Sequence, residues 1–224
     1  MTNLAEEEVI LTSSGAKVKV ENKKYYLIQK RLLDILGALA GIIILGGLFL
    51  LIALLIKVED PKGPIFFSQK RVGKNGREFK MMKFRSMVSN AEERLQDLLA
   101  LNEVSGAMFK MKNDPRVTKV GRLIRKTSID ELPQLFNVLR GEMSLVGPRP
   151  PLEREVEQYS DYDMQRLLVT PGCTGLWQVS GRSDIGFKEM VELDLEYIQN
   201  RSVAYDVKII LRTLKVLFLP SGAY

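Results

Sequence analysis

Residues 35–56, ILGALAGIIILGGLFLLIALLI, carry no charged side chain and are almost wholly Leu, Ile, Ala, Gly and Phe. As a helix of roughly 22 residues at about 1.5 Å each, the run is about 33 Å long, enough to reach across a hydrocarbon core of about 30 Å. The stretch therefore reads as lipid-embedded. A signal peptide would have a shorter apolar region, start nearer Met1 and end in a small-residue cleavage site. A buried core helix of this length would normally show a polar stripe. Lys17, Lys19, Lys23, Lys24, Lys30 and Arg31 precede the run, and Lys57, Lys62, Lys70, Arg71, Lys74, Arg77, Lys80, Lys83 and Arg85 follow it. With basic residues on both sides, the positive-inside rule gives no orientation. Gly46-Gly47 lowers helix propensity at the centre, so one solution is a helix bent there that enters and leaves on the same face. A straight span is the alternative, since glycines also serve packing in membrane helices.

The whole chain has 224 residues, 33 Lys plus Arg against 27 Asp plus Glu, one Cys and no His. This length supports one or two domains with a real core. Without histidine there is no Ser-His-Asp or Cys-His triad, no imidazole acid–base chemistry and no His-containing zinc site. A lone Cys173 excludes internal disulfides and Cys-rich metal sites. Catalysis must then use carboxylates, Lys, Arg, Ser, Thr or Tyr, and any metal should be a hard, oxygen-bound ion such as Mg²⁺. The formal net charge of +6 favours anionic partners: nucleic acid, lipid headgroups or phosphorylated substrates.

Composition divides the chain into three parts. Residues 1–24 are polar, with the acidic run Glu6-Glu7-Glu8, and read as a flexible tail. Residues 25–58 form the membrane-inserted helix, and residues 59–224 the remaining domain. Two prolines and a glycine in 59–64 end the helix. Residues 65–72 and 78–84 flank Lys74-Asn75-Gly76-Arg77, where Asn-Gly signals a β-hairpin. Helical patterns follow over 91–101, with Leu95, Leu98 and Leu99 on one face, and over 131–139, 152–159 and 187–198. Residues 207–219 make a basic amphipathic helix, suited equally to a membrane surface and to the domain's own core. The fold class is α+β: an N-terminal membrane helix, a β-hairpin and a mainly helical domain.

The densest chemistry runs from Asp114-Pro115-Arg116 through Arg122, Arg125 and Lys126 to TSIDELPQ at 127–134 and GPRP at 147–150. Asp130 and Glu131 are adjacent carboxylates among cations. Thr127 with Asp130, and Ser128 with Glu131, also match the capping-box spacing, and Pro133 suits a helix first turn. Acid beside acid, without His, is what metal-assisted phosphate chemistry needs: one carboxylate can attack phosphorus while the other helps hold a divalent ion. Neither a Walker A nor a G-x-G-x-x-G sequence occurs, so side chains and loop amides must meet the phosphates. Arg116, Arg122, Arg125, Arg149 and Arg182 are candidates, because a guanidinium fork binds phosphate bidentately. In PGCTGLWQVSGR (171–182), Trp177, Gln178 and Arg182 fit a ligand-facing loop in which Trp177 stacks on a base or sugar; a buried Trp anchoring the loop is the other reading. Cys173 fits as a small hydrophobe.

Taken in order, KRLLD (30–34), the apolar helix, KFRSM (83–87), DPRVT (114–118), TSIDELPQLFNVLRGEMSLVGPRP (127–150) and PGCTGLWQVSGR resemble the bacterial sugar transferases. These are monotopic phosphoglycosyl transferases that begin exopolysaccharide and capsule synthesis, and the resemblance covers residues 28–222. It implies transfer of a sugar 1-phosphate from a UDP-sugar, UDP-glucose or UDP-galactose, to undecaprenyl phosphate, with release of UMP. Asp130 would be the nucleophile that carries a covalent phosphosugar, and Glu131 would contribute to a Mg²⁺ site. Arg125, Arg149, Lys83 and Arg116 would bind substrate phosphate, and Trp177, Gln178 and Arg182 would lie in the nucleotide loop. The implied partners are UDP-sugar, undecaprenyl phosphate and membrane lipid, with no nucleic acid; a homo-oligomer is compatible. The implied place is the bacterial cell membrane, with residues 59–224 as a cytosolic catalytic domain on the cytoplasmic face. Family members break the re-entrant helix near its middle, often with Ser-Pro, whereas this sequence has Gly46-Gly47 and no proline between Leu32 and Ile56. Competing readings are a non-catalytic, membrane-anchored binder of anionic lipid or nucleic acid, and a glycosyltransferase that moves a bare sugar and releases UDP.

Overall fold

The computed structural model describes residues 24–91, 93, 94, 98, 111, 114–181 and 185–218. The tail, apart from Lys24, and most of the helix expected over 91–101 lie outside them. The apolar run folds as two helices, α1 (Lys24–Ile44) and α2 (Gly46–Glu59), bent by 61°. No single helix among the described residues is long and apolar enough to cross a membrane; the bent pair meets that test together, by length and composition. The break sits at Leu45, with φ −92 and ψ 5, directly before the glycine pair. A Cβ at Gly46 or Gly47 would meet nothing within 4 Å, and neither has positive φ. The pair therefore favours the bend through weak helix propensity and not through close packing.

A polar stripe does exist on α1, and it points inward. Tyr26, Lys30, Asp34 and Ala38 recur every fourth residue on the packed side, while Leu32, Leu36, Leu39 and Ile43 are exposed. Asp34 accepts from Ser144 Oγ at 2.9 Å and from the Leu145 N–H at 2.8 Å. Arg31 donates to the Val138 and Leu139 carbonyls at 2.6 and 2.8 Å, satisfying the last turn of a later helix. Lys30 donates to Asp206, to the Val146 carbonyl and to the Tyr197 hydroxyl at 2.9, 2.9 and 3.2 Å. Tyr26 and Tyr197 hydroxyls both donate to the same Asp206 carboxylate.

At the far end, α2 packs Ile52 and Ile56 against Phe84 and Ile124. Glu59 then accepts the Lys119 and Val120 N–H groups at 2.6 and 3.0 Å, capping α3 (Lys119–Lys126), and Asp60 pairs with Arg85. Strands β1 (Phe66–Val72) and β2 (Glu78–Phe84) pair antiparallel from Phe66↔Phe84 to Val72↔Glu78. Their turn holds Asn75 at φ 55 and Gly76 at φ 76, with Arg77 N–H donating to the Lys74 carbonyl, the type I′ geometry that Asn-Gly favours.

Helix α4 (Gln134–Arg140) starts three residues later than the pattern suggested, and the helix expected over 152–159 shrinks to α5 (Glu153–Val156), followed by α6 (Asp161–Met164). A parallel pair, β3 (Ser144–Val146) and β4 (Gly172–Thr174), was not expected. The stretch read as a loop at 171–182 is instead β4 followed by α7 (Leu176–Ser180). Three-residue strands carry no detectable period, and this pairing depends on backbones touching: a Cβ on Gly172 would lie 2.1 Å from Gly147 N. Helices α8 (Phe187–Asn200) and α9 (Val203–Phe218) complete the core with Val146, Val169, Leu176, Val191, Leu195, Tyr197, Ile198 and Ile209. On α9, Ile209 and Asp206 are buried while Val207, Leu211 and Leu214 stay exposed, so the helix packs on the core and still presents an apolar edge.

Candidate active site

Helix α3 is capped by Thr118, whose Oγ1 accepts from the Gly121 N–H at 2.8 Å, and it carries Arg125 in its last turn. Ser128 then takes φ 56 and ψ 17, a left-handed backbone uncommon outside glycine, and reverses the chain into a short 3₁₀ turn, Ile129–Glu131. The capping boxes read at Thr127 and Ser128 do not form. Ser128 makes no side-chain cap, and the Thr127 hydroxyl bonds back to the Leu123 carbonyl at 2.9 Å. Strain here, in place of a cap, presents the two carboxylates on a tight turn.

Asp130 is 8% exposed, and burial pushes its pKa up to about 6; the Lys83 and Arg125 charges oppose that shift and the Glu131 charge reinforces it. For Glu131, burial also acts upward, but Lys83, Arg149 and Arg71 outweigh it and hold the carboxyl below its ordinary value. Lys83 Nζ sits 2.6 Å from Glu131 Oε1, and the Glu131 side chain remains 42% exposed. Neighbouring carboxylates thus differ: one is poised to titrate, the other is firmly ionised. Asn137, fully buried on α4, fixes Lys83 relative to this turn. Its side chain accepts from the Met82 N–H at 2.9 Å and donates to the Lys80 carbonyl at 2.8 Å, binding strand β2 to the helix that follows Asp130.

Of the residues read from sequence, Asp130, Glu131, Lys83, Arg125 and Arg149 act on one another electrostatically. Arg149 is exposed between buried prolines. Arg116 is placed differently from the expected phosphate ligand: its guanidinium grips Asp114 at 2.7–3.2 Å and reaches the Ala91 carbonyl at 3.3 Å. Trp177 is half-buried, with an indole N–H that finds no partner among the described residues, and Gln178 donates to the Cys173 carbonyl at 3.2 Å. Burial pushes the Cys173 thiol upward, as for an inert packing residue. Arg182 lies outside the described residues. Sequence reasoning missed Arg71, which is buried and felt by Glu131; it sat unremarked in a basic run beside the membrane helix.

Among the described residues no group of three or more His, Cys, Asp or Glu could hold a metal alone. Two adjacent carboxylates do fit Mg²⁺, which takes one or two protein carboxylates and completes its shell with substrate phosphates and water. Four cations, Lys83, Arg71, Arg125 and Arg149, act on two carboxylates, an excess that suits a dianionic phosphate ligand.

Fold and site together present a cation-rich carboxylate turn in a chain that carries a bent apolar helix pair. The chain belongs to the bacterial sugar transferase family, whose model matches residues 25–220. It is 51% identical over 222 residues to the galactosyl transferase CpsE of Streptococcus agalactiae, covering 97% of this chain and 49% of that protein. It is 48% identical over 199 residues to the undecaprenyl-phosphate galactose phosphotransferase of Salmonella typhimurium, covering 87% and 41%. With the exopolysaccharide production protein ExoY of Rhizobium meliloti it shares 44% identity over 199 residues, covering 87% and 88%. The chain thus spans about half the length of CpsE and the Salmonella relative, and most of ExoY.

Proposed function

We propose that this protein is a phosphoglycosyl transferase that moves a sugar 1-phosphate from a UDP-sugar to undecaprenyl phosphate and releases UMP, the opening membrane step of exopolysaccharide or capsule assembly. The observation that carries this reading is the turn at 129–131: a buried carboxylate beside a firmly ionised one, within an excess of cations. Undecaprenyl phosphate and galactose come from the name of the Salmonella relative, and UDP-galactose is the first donor to test.

In the first half-reaction an Asp130 carboxylate oxygen attacks the β-phosphorus, the bond to the bridging oxygen breaks, and that oxygen leaves on UMP. The acyl phosphate formed carries the sugar. In the second half, an oxygen of the lipid phosphate attacks the same phosphorus, a diphosphate-linked sugar departs, and Asp130 is restored as a carboxylate. No proton transfer to a base is needed at the nucleophile, in keeping with a chain that has no histidine. Lys83, Arg125 and Arg149 stabilise charge on the phosphate oxygens. Glu131 would hold Mg²⁺ together with the donor phosphates; when bound, the ion supplies charge neutralisation of the diphosphate. Residues 25–58 are inserted in the cytoplasmic leaflet as a re-entrant pair, and residues 59–224 work from the cytoplasmic side.

The test is UMP release by purified protein with Mg²⁺, undecaprenyl phosphate and a panel of UDP-sugars. Ping-pong kinetics, and radiolabel from sugar-labelled donor retained on wild type but absent from Asp130→Asn, are expected. Release of UDP in place of UMP would overturn the reaction class. Tags at both ends should be accessible from the cytoplasm alone; a tag at the N-terminus reached only from outside would overturn re-entry.

A further inference from the structure

Residues 148–151, Pro-Arg-Pro-Pro, contain a single backbone N–H, because proline has none. Such a segment cannot be held as a strand is held. Each of its four carbonyls is instead taken singly, by three elements: Pro148 O by the Gly172 N–H of β4 at 2.9 Å, Arg149 O by Arg166 Nη2 at 3.4 Å, and, from neighbouring residues of β1, Pro150 O by Arg71 Nη1 at 3.1 Å and Pro151 O by the Val72 N–H at 3.0 Å. The three prolines are buried and Arg149 alone is exposed. Two of the four pins are backbone groups. The other two are arginine side chains, and they differ: Arg166 is neutralised by Asp194 at 2.7 Å, whereas Arg71 forms no ion pair among the described residues.

Arg71 is 4% exposed. Its second bond goes to the neutral Gln69 Oε1 at 2.8 Å, and its Nε is buried without a partner among the described residues. Arg149 and Arg154 act on it repulsively, Glu155 and Glu131 attractively, and burial dominates, drawing its pKa down to about 10. A buried, unpaired cation beside another cation weakens a fold, so its presence calls for a gain elsewhere.

We infer that residues 148–151 form a strap pinned through its carbonyls, and that Arg71 is the positioning residue that sets where Arg149 presents its guanidinium to the substrate diphosphate. The role in turnover rests on the transfer reaction proposed above; the strap itself can be tested without it.

The experiment is a double-mutant cycle read by calorimetric binding of inorganic pyrophosphate, with Mg²⁺, to the full chain in detergent. Arg149→Ala should weaken binding about 30-fold and Arg71→Gln about 10-fold, while the double variant should bind within about twofold of Arg149→Ala alone. Arg71→Lys keeps the charge but loses the fork, and should fall within about threefold of Arg71→Gln. Fold-changes that multiply to about 300-fold in the double variant, near-wild-type binding by Arg71→Lys, or no binding by wild type would each overturn the inference. Should Arg71→Gln melt prematurely, Gln69→Leu removes one anchor of the guanidinium while keeping its charge, and should weaken binding about threefold only when Arg149 is present. UMP release by wild type is scored separately. Coupling in pyrophosphate binding without UMP release overturns the transferase reading and leaves the strap standing; UMP release with multiplicative fold-changes does the reverse.

Discussion

Helix α1 and the turn at 129–131 both place a carboxylate inside the molecule, and they treat it in opposite ways. Along α1 every inward charge is answered: Lys30 by Asp206, Arg31 by two helix-end carbonyls, Asp34 by Ser144 and Leu145. Around Asp130 the account stays open. Four cations act on two carboxylates, Asp130 is pushed toward neutrality, and the Arg71 Nε–H has no partner among the described residues. Balanced buried charge fixes a geometry; a cation excess that includes the exposed Arg125 and Arg149 leaves charge open to an anion from outside the protein.

Removing the imbalance should give the largest effect. Asp130→Asn is expected to lower UMP release at least about 10³-fold, while making the chain roughly 2–3 kcal/mol more stable at pH 7.5 in urea unfolding. The sign follows from a folded pKa of about 6 against an unfolded 3.8. The unfolded chain ionises more readily, so Asp130 destabilises the fold above pH 6, and that penalty fades as pH falls toward 4. A stability gain that persisted unchanged at pH 4 would break the comparison. In the same wild-type protein, single-turnover phosphosugar formation should rise with pH through about 6, as Asp130, the proposed nucleophile, ionises.

Disturbing the balanced stripe should cost stability instead. Asp206→Ala strands Lys30 and two tyrosine hydroxyls and should destabilise by about 3–5 kcal/mol, whereas Lys30→Met with Asp206→Leu should lose markedly less, since no buried charge is left alone. A double variant as unstable as the single one would show that packing, and not pairing, governs this region. Removing the Thr118 cap of α3 with Thr118→Ala should cost about 1 kcal/mol. Lys70→Ala, which breaks an exposed pair with Glu78, should leave the melting temperature unchanged.

How far the sequence reveals these features depends on how local each one is. The hairpin is legible because Asn75-Gly76 supplies positive φ at two consecutive positions. The bent pair is legible from composition, and the carboxylate pair from a long motif. Inward polarity on α1 is written at every fourth residue, Tyr26, Lys30, Asp34, but its partners lie at 144–146 and 197–206 and no local pattern points to them. Arg71 was hidden because one buried arginine looks like its exposed neighbours in a basic run. Arg116 misled for the converse reason: an arginine two residues from an aspartate can satisfy itself locally, as it does on Asp114.

The bonds from Tyr26 and Lys30 to Asp206 span 180 and 176 residues. During synthesis α1 is complete, and its outer face can partition into lipid, long before Asp206 exists. Until α9 is made, Lys30 lacks its carboxylate partner, and a closure this non-local is expected to form late. If the bent pair enters the membrane as proposed, insertion would precede this closure, and the later packing would draw the helix into register. A chain arrested before residue 206 should be bound to the membrane yet sensitive to protease beyond residue 59.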